Sequence, residues 1–200
     1  VDEETGLTGA FRLQDGCLNG KQLINLDSED DGQVFIGCAG GIDTLAKMHY
    51  SPIALSPNSH LAIHLKVGGL MGGHSGDDIN KGRGNANKIL VRFLYQVMQA
   101  TDMQLATING GNLRNAIARE AEAVIAIPMA YKEDIRVMLN HYIATIESEI
   151  GDVEKDFFMS LETTDMPEQF IPEAEAKRLL QALYASPHRA MAMSHTMPGL

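Results

Sequence analysis

The sequence predicts an α+β fold in which a four-stranded antiparallel sheet carries two helices on one face, the ferredoxin-like split βαβ arrangement. Three observations predict it. Residues 60–67 (His-Leu-Ala-Ile-His-Leu-Lys-Val) alternate as a half-buried strand. Two long amphipathic stretches follow, at 85–99 and 131–150. Shorter apolar runs at 103–108, 121–127 and 155–161 fall between and after them, so the order reads strand, helix, strand, strand, helix, strand.

The first helix places Ala86, Ile89, Leu90, Phe93, Leu94 and Val97 on one face, and the second does the same with Ile135, Met138, Leu139, Tyr142, Ile143 and Ile146. Between the first strand and the first helix lies a glycine-rich turn, Gly69 to Gly76, with His74 inside it. A third helix is expected over 167–185, with Pro172 in its first turn and Phe170, Leu179, Leu180 and Leu183 as apolar positions. Residues 191–200 read as the approach to another strand. Near the start, Leu23-Ile24-Asn25-Leu26 reads as a strand that delivers Asp27 at its C-terminal end, and a second strand spans 33–37. The glycines that follow at 40 and 41 allow the chain to leave one domain for another, which puts a boundary near Gly41. Residues 1–40 then form one domain and 41–200 a second.

Composition bounds the function. The chain is 44% hydrophobic and 21% charged, enough for a packed core, and has no apolar run long enough to span a bilayer. Its formal charge is −10, and the basic residues Lys81, Arg83, Lys88, Arg92, Arg114, Arg119 and Lys132 are interspersed with acids. Nucleic acid requires a basic face, so it is excluded as a partner, and a membrane partner is not expected. The two cysteines, Cys17 and Cys38, have no metal-ligand spacing and build no disulfide scaffold, which fits a reducing, cytoplasmic compartment.

The candidate chemistry begins at Glu3-Glu4-Thr5-Gly6. Adjacent carboxylates repel unless a cation or a shared proton holds them together. In a metallohydrolase one of the pair ligates the metal and its neighbour takes the proton of the bound water; the alternative is a solvated acidic turn. Asp27, at a strand end where ligand groups collect in open α/β sheets, is a further oxygen ligand. His74 is flanked by glycines that either expose its ring or serve only a tight backbone path. Gly72-Gly73-His74-Ser75-Gly76 lacks the lysine of a phosphate-binding loop, and Ser75 lacks the elbow of a nucleophile. His49, His60, His64 and His141 lie on strand or helix patterns and receive no role.

Six blocks in order carry a resemblance: Glu3-Glu4-Thr5-Gly6 with Gly9-Ala10; Asn25 to Glu29; Gly37 to Gly41; Gly69 to Gly76; Gly84 to Lys88; and Asn109 to Ile117. Together they resemble the dipeptidase branch of the di-zinc aminoacylase and carboxypeptidase family of metallopeptidases. The resemblance implies a ferredoxin-like lid and dimerisation domain over 41–200, preceded by part of an α/β zinc-peptidase catalytic domain in 1–40. It implies Glu3 as general base, Glu4 and Asp27 as metal ligands, His74 as a catalytic oxyanion donor reaching the partner subunit's site, and Asn115 as a substrate-binding residue. The implied cofactor is zinc, two per subunit in the parent, or another divalent cation. The implied substrate is a short peptide such as an aminoacyl-histidine dipeptide, and the implied partner a second copy of the chain.

The chain departs from that family in lacking a histidine and a bridging aspartate before the Glu-Glu pair and a histidine far downstream. An arginine common among relatives is replaced by Ala126-Ile127-Pro128. Each catalytic zinc takes roughly three protein ligands, so Glu4 and Asp27 are too few for two. The expectation is an internal fragment of a dipeptidase, inactive by itself. A non-catalytic dimerisation module and an amidohydrolase acting on N-acyl amino acids are the alternatives.

Overall fold

The structure, a computed structural model, describes residues 6–22, 24, 31–34, 40–55, 59–193 and 195–196. Contacts divide the chain into two units, 1–48 and 49–200. In the first, the regular element among the described residues is a four-residue helix, α1 (Thr8–Phe11). Most of the strand expected over 23–26 lies outside the described residues. So do 35–37 of the strand expected over 33–37, whereas Gln33 and Val34 are in no strand. Glu3, Glu4 and Asp27 lie outside the described residues as well.

The second unit holds the mixed helix-and-sheet domain. Its elements run β1 (His60–Gly68), β2 (Gly73–His74), α2 (Ala86–Ala100), β3 (Gln104–Gly110), β4 (Ala116–Ile117), β5 (Ala121–Pro128), α3 (Lys132–Ile150), β6 (Phe158–Thr163) and α4 (Glu173–Ala185). A four-stranded antiparallel sheet has the order β3-β5-β1-β6. β1 pairs with β5 from His60 opposite Pro128 to Val67 opposite Ala121.

Alternation along β1 sends Ile63, Leu65 and Val67 to one face, where they meet Leu90, Phe93, Leu94 and Val97 of α2 and Ile135, Leu139, Tyr142 and Ile146 of α3. Each fully buried side chain of this size contributes about 1.5–3 kcal/mol before the entropy of ordering is subtracted. Phe93 and Tyr142 pack with ring centroids 5.2 Å apart, and the Tyr142 hydroxyl donates to the Ile89 carbonyl at 2.7 Å. Among the described residues no helix is long and apolar enough to cross a membrane.

The second unit departs from expectation in four places. The last strand begins at Phe158 rather than near Lys155, because residues 151–154 continue the end of α3 in a turn in which Val153 and Glu154 both donate to the Ile150 carbonyl. The third helix begins at Glu173. Pro172 lacks an N–H and biases the residue before it toward extended backbone, so 167–171 stay out of the helix. Phe170 instead forms a bridge with Ile53, and Ile171 donates to the Leu105 carbonyl at 2.8 Å. The helical layer also has three members rather than two, since Ala176 and Leu180 of α4 join the same core as α2 and α3. Residues 191–193 carry no strand.

Candidate functional site

Three of the glycine- and asparagine-rich blocks meet at one place. β2 and β4 form a two-stranded ribbon, with His74 opposite Ala116 and the Ser75 amide donating to the Asn115 carbonyl at 2.8 Å. The Ala86 amide, at the start of α2, donates to the Ala118 carbonyl at 2.9 Å. The Asn87 side-chain amide donates to the Gly110 carbonyl at 3.3 Å, at a spot where a Cβ on residue 110 would collide with Asn87 and Ala121. Two of the sequence-predicted site residues, His74 and Asn115, are thereby brought together on one ribbon. Glu3, Glu4 and Asp27 lie outside the described residues.

The loop that carries His74 is built by glycine backbone and two acids. Gly72 and Gly73 have φ of +67° and +147°, and a Cβ at Gly73 would run into Arg83 and Asp78. Asp78 accepts the His74 amide at 2.8 Å, the Lys81 ammonium at 2.8 Å and the Arg83 guanidinium at 3.0 Å. The hydrogen bond from Lys81, followed by that from the His74 amide, holds the Asp78 carboxyl below its ordinary pKa. Arg83 also donates to the Gly72 carbonyl at 2.6 Å, which closes the loop on itself. At its base the buried carboxylate of Glu154 accepts the amides of Met71 and Gly84, both at 2.7 Å.

The His74 side chain is 53% exposed, so its ring is available to a partner. Nδ1 lies 3.1 Å from the Gly76 amide and 3.3 Å from the Asp77 amide, and both of these are donors. The Asp77 carboxylate lies 3.6 Å from the same nitrogen and is 85% exposed, too far for a hydrogen bond. The amides therefore define the ring's environment.

Asp78, Arg83 and Glu154 were not identifiable as site-building residues from sequence. Asp78 carries one weak local signal, an acid four residues after a glycine-flanked histidine. Glu154, between Val153 and Lys155 after a helix, reads as a solvated turn residue. Among the described residues no three His, Cys, Asp or Glu side chains are grouped to hold a metal ion.

A cleft of about 480 Å³ lies between α2, α3 and the segment after α4, with Lys88, Arg92, Glu149 and His188 in its wall. Two of its cations, Lys88 and Arg92, are committed within the fold. Lys88 donates to three carbonyls, and Arg92 makes two bonds of 2.7 and 2.8 Å to Glu149. The arrangement serves packing of α4 better than ligand capture.

Comparison with known proteins agrees with this fold. The family described as the peptidase dimerisation domain matches residues 65–154. The cytosol non-specific dipeptidase of Escherichia coli strain K12 is 37% identical over all 200 residues, which cover 41% of that protein. The crystal structure of aminoacylhistidine dipeptidase from Vibrio alginolyticus matches with a TM-score of 0.80 at 39% identity, across the whole of this chain and 41% of that one. The chain thus spans about two fifths of the length of these relatives.

Proposed function

We propose that the chain, whose residues 65–154 match the family described as the peptidase dimerisation domain, is part of a metal-dependent dipeptidase. Residues 41–200 serve as its lid and dimerisation domain, and residues 1–40 belong to its catalytic domain. The observation that carries this reading is the pairing of the His74 and Asn115 segments on one ribbon, with the His74 ring exposed at its end. An exposed histidine on a tightly tied loop is a donor of the kind that a tetrahedral oxyanion requires.

In this reading the parent hydrolyses short peptides such as aminoacyl-histidine dipeptides in the cytoplasm. Glu4 and Asp27, with residues outside this chain, would hold the paired zinc ions, which when bound would supply Lewis-acid polarisation of the carbonyl and a lowered pKa for a bound water. Glu3 takes the proton of the attacking water and returns it to the leaving amine. His74, reaching the partner subunit's site across a homodimer, donates to the oxyanion, and Asn115 helps hold the substrate. The similarity to two dipeptidases over the whole chain supports this reading. The 200-residue chain alone is expected to be inactive.

The test is zinc content and Xaa-His dipeptide hydrolysis, measured on the 200-residue chain and on the full-length protein that contains it. About two metals per subunit and activity in the longer protein alone is the expected result. In that protein His74→Ala lowers kcat by roughly 100-fold or more, the scale of losing one oxyanion donor. A metal-free, inactive full-length protein would sink the assignment.

A further inference from the structure

His74 is exposed, yet its surroundings are too specific for a freely rotating side chain. Two backbone amides, Gly76 at 3.1 Å and Asp77 at 3.3 Å, are aimed at Nδ1. An amide N–H can only donate, so Nδ1 must present its lone pair, and the single proton of the neutral ring then resides on Nε2. We infer that the turn 76–78 is a tautomer lock that fixes His74 as an Nε2–H donor, and that Asp78 is the positioning residue that keeps this turn in place.

A carboxylate partner on Nδ1 would do the opposite. It would draw the proton to Nδ1 and leave Nε2 as an acceptor, which suits a base rather than an oxyanion donor. Asp77 is the carboxylate within range, and it falls short at 3.6 Å while the amides of its own turn occupy the site. Gly76 fits the same purpose. A Cβ there would stand 3.2 Å from both Nδ1 and Cε1 of His74, so glycine lets the backbone close on the ring.

Asp78 holds the peptide of His74 from both sides. Its carboxylate accepts the His74 N–H at 2.8 Å, and its own N–H donates to the His74 carbonyl at 3.1 Å. Lys81 and Arg83 then anchor the Asp78 carboxylate, and Arg83 ties the assembly to the Gly72 carbonyl. Backbone, tautomer and ring direction are thus set before any substrate arrives, which is the preorganisation an oxyanion donor needs. The link from lock to catalysis rests on the functional reading above.

The test uses full-length protein labelled with ¹⁵N-histidine, studied by solid-state ¹⁵N spectroscopy, with the His74 signals assigned by their loss in His74→Gln. In the neutral form Nδ1 should appear unprotonated and Nε2 protonated. Asp78→Ala should turn this into a mixture of tautomers and lower kcat for dipeptide hydrolysis by roughly 10- to 100-fold, the cost of a misplaced catalytic group, with little change in KM. Asp78→Asn, which keeps a carbonyl oxygen for the His74 amide, should retain the wild-type tautomer and most of kcat. A wild-type His74 that carries its proton on Nδ1 overturns the lock without any variant. An Asp78→Ala protein with an unchanged tautomer and unchanged kcat overturns the role of Asp78. If the lock is seen but His74→Ala leaves kcat unchanged, the lock stands and the catalytic reading of His74 fails instead.

Discussion

Glu154 Oε1 accepts the backbone amide of Gly84 at 2.7 Å, across 70 residues of sequence. Its other oxygen accepts the amide of Met71 at the same distance, so one carboxylate that is 2% exposed closes both ends of the loop bearing His74. An ionised carboxylate is acceptor-only and matches two donors without a spare proton. Glu154→Gln keeps one acceptor oxygen and turns an NH₂ toward the second amide. The expected loss is about 1–3 kcal/mol for each buried N–H left unpaired, so Glu154→Ala should lose more than Glu154→Gln. Urea unfolding of the three proteins checks the order.

Lys88 gives the C-terminus of α4 the positive charge that α4 itself lacks. No basic residue lies in the last turn of that helix, and the Lys88 ammonium donates to the carbonyls of Leu183, Tyr184 and Ser186 at 2.8, 2.8 and 2.6 Å. Three donors meet three acceptors at the negative end of a helix dipole. Lys88→Met should cost about 1–3 kcal/mol. It should also speed amide hydrogen exchange around 182–186 and loosen the stack of Tyr184 on Tyr95, whose centroids lie 4.7 Å apart. Lys88→Arg should not restore protection, because a planar fork cannot aim three donors as an ammonium does. Unchanged exchange in Lys88→Met would refute the capping role.

Phe170 is the large apolar side chain of a small second cluster, with Ala106 and Ala126, and is 1% exposed. The small side chains of the two alanines leave room for its ring. Phe170→Ala is expected to cost about 3–5 kcal/mol, while Phe170→Leu should cost distinctly less. Thermal unfolding measures both, and a loss below 1 kcal/mol for Phe170→Ala would show that the cluster does not hold the segment before α4.

Acid should destabilise the domain in two stages. Burial, then the charges of Arg189 and Lys88, keep the pKa of His188 below its ordinary value of 6.5. The Asn85 side chain lies 3.2 Å from its Nδ1, where its amide donates to the neutral ring. As pH falls below 6.5 the unfolded chain takes up a proton that the folded chain resists, so stability falls with it. Glu149 and Asp78 have depressed pKa values, through hydrogen bonds from Arg92 and from Lys81 respectively. Their contribution is present above the ordinary values of 4.5 and 3.8 and is lost as pH falls through the lower folded values. Urea midpoints measured from about pH 8 to about pH 2 should show both stages, and His188→Gln should remove the first alone. An identical profile in that variant would exclude His188 as its source.

Much of the fold was legible because it rests on local periodicity. Alternation in residues 60–67 and the 3.6-residue spacing of Ala86 to Val97 and Ile135 to Ile146 mark which faces are buried, and the structure buries Ile63, Leu65, Phe93, Leu94, Ile135 and Ile146 accordingly. The start of α2 was readable too, since Asn85 is a residue whose side chain caps the amide of Lys88. The β2 and β4 ribbon was not, because strands of two residues have no period to detect.

The sequence by itself therefore determined the strand and helix order and the inward faces, and its resemblance to a known family singled out His74 and Asn115 as candidates. Only the tertiary structure decided that these two segments share a ribbon, that Glu154 closes the loop beside them, that Lys88 caps a helix far along the chain, and that Nδ1 of His74 faces two amides. The physical reason is range. Periodicity and capping by a near neighbour act over a few residues and leave a mark in the order of side chains. A hydrogen bond between distant residues depends on where the packed core brings the backbone, and no local pattern encodes it.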